Sequence, residues 1–293
     1  MVIIKLMGGM GNQLFQYAVG KAVSAKSGKE LKMDISGYEN QDAIITPRSY
    51  ALSIFKIEEK FASAGEIGKF LQNKNKKNIS GKIKSLFFNK NSSAYFVEPK
   101  FTFNPEVFDF NEPVYLEGYW QTEKYFKDIT DIIRKEFVLK DEYSIENKEI
   151  TKKIKNCNAV SLHIRRGDYV TSATTNKFHG ICSLDYYEKA VRHIADGVQD
   201  PNFFIFSDDI EWVKENLKID HPAAYVSDGV LKDYEELTLM SYCKHNIIAN
   251  SSFSWWGAWL NNNPEKIVIA PKQWFADTSI DISDVIPENW VKI

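Results

Sequence analysis

The chain has 293 residues, 44% of them hydrophobic and 26% charged, a composition that excludes disordered, collagen-like and membrane-spanning classes. Lys and Arg total 37 against 39 Asp and Glu, a formal net charge of −2, so there is no global cationic field of the kind that gathers nucleic-acid phosphates. Cys157, Cys182 and Cys243 form no CxxC pair, which points to reduced thiols in a cytoplasmic setting rather than a disulfide framework or zinc site.

Taken in chain order, the apolar run Val2 to Met7 reads as a strand, too short for a signal peptide or a spanning helix. Gly8-Gly9-Met10-Gly11-Asn12-Gln13 follows it, then a helix from about Asn12 to Lys26 and a strand from Leu31 to Ile35. From Lys69 to Lys90 there are seven lysines and no acid, which suits an exposed excursion. Order resumes near Tyr95, with a strand at Val114 to Glu117, a helix over Thr122 to Phe137 and a polar connection from Lys140 to Lys153. No run reaches the roughly twenty apolar residues of a bilayer crossing, so any membrane contact is expected to be peripheral.

The second half alternates short β-rich runs with amphipathic helices in the rhythm of a parallel sheet. Strands are expected at Asn158 to Ile164, Phe203 to Phe206, Ala223 to Val226, Asn246 to Ala249 and Lys266 to Ala270. Helices are expected at Ser183 to Val198, Asp233 to Lys244 and Ser252 to Asn262, each opened by a capping or acidic residue. The pattern predicts an α/β protein of two Rossmann-like domains facing a central cleft, residues 1–150 and 151–293.

Four constellations could carry chemistry. In the first, Gly8 to Gln13 lies where a strand turns into a helix: either a plain tight turn, or a loop whose backbone N–H groups and amides meet an anion or sugar hydroxyl. In the second, HIRRGDY places His163 in a strand and Arg165 and Arg166 at its mouth. Strand alternation sends His163 and Arg165 to one face and Arg166 to the other, so one guanidinium can meet a diphosphate while the other pairs structurally. Salt-bridging arginines with a core histidine would look the same. In the third, Ser207-Asp208-Asp209 ends the FFIF strand, where Asp208 could accept from ribose or base and Asp209 could cap a helix. The Asp-x-Asp triplet of metal-dependent sugar transferases is absent from the sequence. In the fourth, Asn250-Ser251-Ser252-Phe253 precedes a helix and can cradle phosphate. Trp255, Trp256 and Trp259 beyond it fit close packing better than a sugar platform, and Glu235 and Glu236 fit either dipole partners or ligands.

GGMGNQ, HIRRGDY, FSDD and NSSFSWWGAW, in this order and at these separations, closely resemble the α-1,2-fucosyltransferases of glycosyltransferase family 11. The resemblance runs from Val2 to the C-terminal Asn-Trp-Val-Lys-Ile and leaves out mainly the lysine-rich excursion. It implies a GT-B-like fold, GDP-L-fucose as donor, inversion at the anomeric carbon, no required metal or other cofactor, and transfer to the 2-hydroxyl of a terminal galactose-type sugar. Residues 1–150 become the acceptor side and residues 151–293 the GDP-sugar side. By motif position it implies that Arg165 meets the donor diphosphate with Arg166 in support, that His163 and Glu236 approach the guanine, and that Asn12, in a loop with Gly9 and Gly11, lies near the fucosyl–phosphate bond. Ser207, Asp208, Asn250, Ser251, Ser252 and Phe253 complete the expected donor loops. Asp168 is the expected general base. The partners implied are GDP-L-fucose and a galactose-terminated oligosaccharide, with no nucleic acid, at a cytoplasmic location that could include the inner membrane face. Two rival readings are a transferase for another GDP-sugar or linkage, and a non-catalytic GDP- or glycan-binding module.

Overall fold

The structure is a computed structural model that describes residues 1–39, 47–78, 94–140, 145–171 and 173–293. The chain divides into two compact units, Met1–Lys140 with Asp281–Val285, and Asp141–Ile280 with Ile286–Ile293.

The first unit holds β1 (Val2–Lys5), α1 (Met10–Ser27), β2 (Leu31–Asp34), α2 (Ala64–Asn78), β3 (Ala94–Val97), β4 (Val114–Glu117) and α3 (Thr130–Glu136). Its four strands pair in parallel in the order β2-β1-β4-β3. Val2, Ile3 and Ile4 are all fully buried, as befits a central parallel strand covered on both faces. The left-handed Gly28 (φ 67°) ends α1 without the penalty a side chain would bring. Because β2 and β4 flank β1 while the chain runs through β3 first, the strand order reverses between β1 and β4. Open parallel sheets bind ligands at the carboxyl ends of the strands at such a reversal. The Gly8 loop leaves β1 at that point and residues Gly118 to Gln121 leave β4 beside it.

Two expectations change here. The helix expected over Thr122 to Phe137 is two 3₁₀ turns, Glu123–Tyr125 and Lys127–Ile129, followed by α3. Tyr125 and Phe126 are both buried, and placing adjacent aromatic side chains inward pulls the backbone at Phe126 (φ −131°) out of helical geometry. The lysine-rich segment opens as α2, because Ile67 and Phe70 bury against Ile3 and Tyr115; residues 79–93 lie outside the described residues.

The second unit holds α4 (Ile145–Lys155), β5 (Asn158–Ile164), α5 (Gly167–Thr171), α6 (Ala173–His179), α7 (Leu184–Gly197), β6 (Pro201–Ser207), α8 (Ile210–Asn216), β7 (Ala223–Tyr225), α9 (Asp233–Tyr242), β8 (His245–Ile247), α10 (Ser252–Leu260), β9 (Val268–Ala270) and β10 (Val291–Lys292). The connection expected between the halves thus includes a helix. All six strands pair in parallel, in the order β10-β9-β8-β5-β6-β7. β5 is the pivot: β6 and β7 grow from one side, β8 to β10 from the other, and the reversal falls between β5 and β8. Alternation splits the core, with Val160, Leu162 and Ile164 facing α7 while Ala159, Phe204 and Phe206 meet Leu239 and Met240 of α9. Trp255, Trp256 and Trp259 are all buried, Trp255 lying 5.4 Å from Trp290 centroid to centroid, and they pack α10 onto the sheet as expected. At Gly257 an added Cβ would come 2.8 Å from Met240 Cβ, so only glycine lets α10 approach α9 this closely.

Both sheets are parallel, helix-flanked and reversed once, which makes the chain an α/β protein of two Rossmann-like units, the components of a GT-B-like fold.

Candidate active site

In the second unit the site begins where β5 ends. Arg165 Nη1 pairs with Asp208 Oδ2 at 2.8 Å, and its guanidinium lies 5.4 Å from the centre of the Tyr169 ring. Asp208 Oδ1 also accepts from the Arg166 backbone N–H at 2.8 Å, so one carboxylate fixes both the side chain and the strand end. A side chain at Gly167 would run into Asp208, which explains the glycine after the arginine pair. Arg166 turns the other way: its Nε donates to Asp209 at 3.1 Å, and its guanidinium carbon sits 3.4 Å from the Trp212 ring centre. Arg166 is thereby boxed between a carboxylate and an indole in a supporting position. Asp209 occupies the first position before α8 but spends its side chain on Arg166, while its N–H donates to Ser207 Oγ at 3.0 Å. The Asp168 side chain lies outside the described residues.

Behind the arginines, His163 is 5% exposed, with its Nδ1 buried and without a hydrogen-bond partner. Burial first, and then the Arg165 charge, push the imidazole down to about 3, so it is neutral at any physiological pH. An orphaned buried polar atom costs about 1–3 kcal/mol unless a ligand satisfies it. The ring lies 5.7 Å from that of Phe253. Ser207 is buried and its N–H donates to Ser227 Oγ at 3.0 Å.

The two neighbouring acids of α9 part company. Glu235 accepts from the Lys232 N–H at 3.0 Å and closes a capping box. Glu236 shares a hydrogen bond with Ser227; burial, reinforced by Asp233, Asp228 and Asp208, raises its carboxyl to about 7. A carboxylate poised this way accepts well from ring N–H groups once ionised.

After β8, Asn250 Nδ2 donates to the carbonyls of His179, Gly180 and Trp274 at 2.9, 3.3 and 3.2 Å, and its Oδ1 accepts from Cys182 Sγ at 3.4 Å. Its side chain is committed to holding the loops together. Ser251 precedes α10 with extended backbone (φ −139°, ψ 125°), and its own side chain makes no capping hydrogen bond to the helix. The first-turn N–H groups, beginning at Ser252 and Phe253, therefore face the mouth of the β5–β8 reversal with the positive end of the helix.

The first unit presents its own mouth. Gly8 is left-handed (φ 74°), Gly9 precedes α1, and Gly11 is buried in its first turn. Gln13 is fully buried, donating to the carbonyls of Gly8 and Ser49 at 3.0 and 2.8 Å and accepting from the Ala51 N–H at 2.8 Å. Gln16 likewise ties Met7 to Gly118. Asn12, unlike Gln13 and Gln16, is only half-buried, its Oδ1 accepting from Gln121 Nε2 at 2.9 Å. Arg48 lies beside Gly9, with guanidinium atoms about 4 Å from where a Cβ would stand. Glu98, at the end of β3, accepts from the N–H groups of Tyr119 and Trp120, and burial raises its carboxyl to about 7. Arg48, Glu98 and Gln121 escaped the sequence reading, since none lies in a recognisable motif. Among the described residues, no three His, Cys, Asp or Glu side chains gather as metal ligands, and no helix is long and apolar enough to cross a membrane.

Glu236 has a consequence for stability. Its proton is held more tightly folded than unfolded, so its contribution is fully present below about pH 4.5 and is lost as the pH rises through about 7. His163 has the opposite sign, penalising the fold as the pH falls from 6.5 toward about 3, so only a variant comparison isolates Glu236. Denaturation midpoints of Glu236→Gln are expected to fall less across that range than those of wild type, the fall common to both coming from Glu98, whose carboxyl is also raised to about 7. Parallel profiles for the two proteins would show that Glu236 titrates normally.

A family model described as Glycosyl transferase family 11 matches residues 1–293. An alpha-1,2-colitosyltransferase of Escherichia coli is 35% identical over 309 aligned residues, which cover 100% of this chain and 98% of that protein. The O-antigen biosynthesis glycosyltransferase WbnK of Escherichia coli is 34% identical over 310, covering 98% of this chain and 99% of its own. A galactoside alpha-(1,2)-fucosyltransferase 1 of Leontocebus fuscicollis is 25% identical over 166, covering 53% of this chain and 45% of that protein. With the family model spanning every residue and relatives above 30% identity aligned end to end, the chain belongs to glycosyl transferase family 11.

Proposed function

We propose that this glycosyltransferase moves L-fucose from GDP-L-fucose to the 2-hydroxyl of a terminal galactose-type acceptor, inverting the anomeric carbon and needing no metal. The observation that carries the proposal is the pairing, at one sheet reversal, of an aimed guanidinium with a helix start that its N-cap serine leaves uncapped. Breaking the sugar–phosphate bond leaves GDP with extra negative charge beside an oxocarbenium-like sugar. Arg165 and the N–H groups of Ser252 and Phe253 are suited to absorb it, because they are positioned before the reaction and cost no reorganisation. His163 and Glu236 suit the guanine: a neutral imidazole offers a ring nitrogen, and an ionised carboxylate accepts from base N–H groups. Asp208 is proposed to hold Arg165 until the diphosphate competes for it, a narrower part than ribose ligand. Asn12 is assigned to the fucosyl–phosphate bond. Asp168, one residue after Gly167, is assigned the acceptor proton by its place in the motif.

A second reading has specific support. The colitosyltransferase relative covers the whole chain at higher identity than the fucosyltransferase, and colitose is fucose without its 3-hydroxyl. The same groups would serve either donor, so the difference lies in whether the site hydrogen-bonds that hydroxyl. A site that does so rejects the deoxy sugar by orders of magnitude, whereas one that does not discriminates weakly.

Two outcomes follow. Arg165→Ala is expected to lower turnover about a hundredfold or more without changing the circular dichroism spectrum or the melting temperature materially; activity above a tenth of wild type would remove Arg165 from the diphosphate. With acceptor fixed, kcat/KM is expected to favour GDP-L-fucose over GDP-L-colitose and GDP-D-mannose, the linkage being read by NMR. A preference for GDP-L-colitose would replace the fucose assignment, and GDP binding without transfer to any acceptor would leave a binding module.

A further inference from the structure

The amide of Asn12 has one donating and one accepting end, and the two do opposite things to a leaving phosphate oxygen. An N–H stabilises the charge that builds there, whereas a carbonyl lone pair repels it. Which end is taken up by a neighbouring side chain is settled within the first unit. Gln121, only 6% exposed, donates its Nε2 to Asn12 Oδ1 at 2.9 Å and so occupies the accepting end. The donating end, Nδ2, lies over Gly8, where an added Cβ would come within 2.7 Å, so only glycine leaves room for this orientation.

Gln121 is itself held from behind. Trp120 sits at φ 59°, a left-handed conformation that bulky residues rarely adopt, and its side chain is fully buried. The Glu98 carboxylate accepts from the Tyr119 N–H at 2.7 Å and from the Trp120 N–H at 3.0 Å through either oxygen. The Trp120 carbonyl accepts from the Thr122 N–H at 2.8 Å, which pins the far side of the same turn. The Trp120 ring stacks on Phe96 and meets Tyr125 edge-on at 5.4 Å. Gly118 admits no side chain, since a Cβ would strike Glu98. Every constraint on this turn fixes the peptide from which the Gln121 side chain departs.

We infer that Gln121 is a positioning residue that fixes the Asn12 amide with its N–H, rather than its carbonyl, toward the sugar–phosphate bond, and that Glu98 holds the turn that carries Gln121. The inference rests on the proposed placement of Asn12 at that bond. It separates Gln121 from the buried Gln13 and Gln16, whose amides bond to backbone: Gln121 bonds to the one side chain in the loop that is assigned to the donor.

The test is a double-mutant cycle in the full chain, with whichever of GDP-L-fucose and GDP-L-colitose turns over faster. Asn12→Ala is expected to lower kcat about a hundredfold. Gln121→Ala is expected to lower kcat at least tenfold, on the order of one lost aimed donor, with KM for the donor changed less than about threefold. Asn12→Ala/Gln121→Ala should be no worse than about twofold below Asn12→Ala alone, because Gln121 acts through Asn12. Gln121→Glu keeps the size but accepts where Gln121 donates, so it should turn the Asn12 amide around and fall below Gln121→Ala in kcat. Melting curves confirm folding, and the Gln121→Glu comparison with wild type decides the matter if Gln121→Ala does not fold. If Asn12→Ala is impaired while both Gln121 variants keep wild-type kcat, or if the double variant loses the product of the single effects, the positioning role is overturned and the Asn12 assignment stands. If Asn12→Ala itself keeps wild-type kcat, the assignment of Asn12 falls, and the inference with it.

Discussion

The pairing of Arg165 with Asp208 is the contact on which the mouth of the second unit depends. Two consecutive arginines at the end of a buried strand would repel one another and wander, because like charges a few ångströms apart interact strongly wherever water is partly excluded. The chain answers with two consecutive aspartates at the end of the neighbouring strand, β6, whose parallel register with β5 brings Ile164 opposite Ser207. The pairs then form one to one, Arg165 with Asp208 and Arg166 with Asp209. Asp208 does more than neutralise, since it also takes the Arg166 N–H and thereby sets where β5 stops. An arginine held by a carboxylate is aimed yet exchangeable, as a diphosphate offers a guanidinium bidentate geometry with more charge.

The two units divide their polar side chains on the same plan. Most amides near each mouth are consumed by the fold: Gln13 and Gln16 stitch the loops around β1, and Asn250 clamps three carbonyls behind β8. A few polar groups are less fully claimed, and the proposed function leaves them to a ligand: the His163 ring with its orphaned Nδ1, Glu236 with its raised carboxyl, and the first turn of α10. This economy follows from burial, because a polar group in a parallel α/β core must be bonded to something, and the fold claims first whatever lies within reach. What stays at the rim is therefore informative.

Much of this was legible in the sequence, for reasons that differ by element. Five of the six second-unit strands could be read because each is a short apolar run bounded by Gly, Pro, Asp, Asn or Ser, whereas the two-residue β10 is too short to leave such a pattern. The division between Arg165 and Arg166 followed from strand alternation alone. The helix expected over Thr122 to Phe137 failed because periodicity cannot register that Tyr125 and Phe126 both turn inward. Asn250 was grouped with the donor loops because it opens the Asn-Ser-Ser-Phe run before a helix, and nothing local reveals the three backbone carbonyls to which its side chain donates. Glu235 and Glu236 were indistinguishable as neighbours, and only the capping box separates them. Gln121, Glu98 and Arg48 join the first-unit mouth through the β1–β4 reversal, a long-range arrangement that leaves no motif behind.

Under the proposed function, a fixed guanidinium and a helix start, rather than a divalent ion, neutralise the departing nucleotide. Initial rates of sugar transfer in excess chelator, followed by titration with manganese, test it most directly. Turnover is expected to be the same with chelator as without, with no gain from added metal. Loss of transfer in chelator with recovery on adding manganese would contradict it.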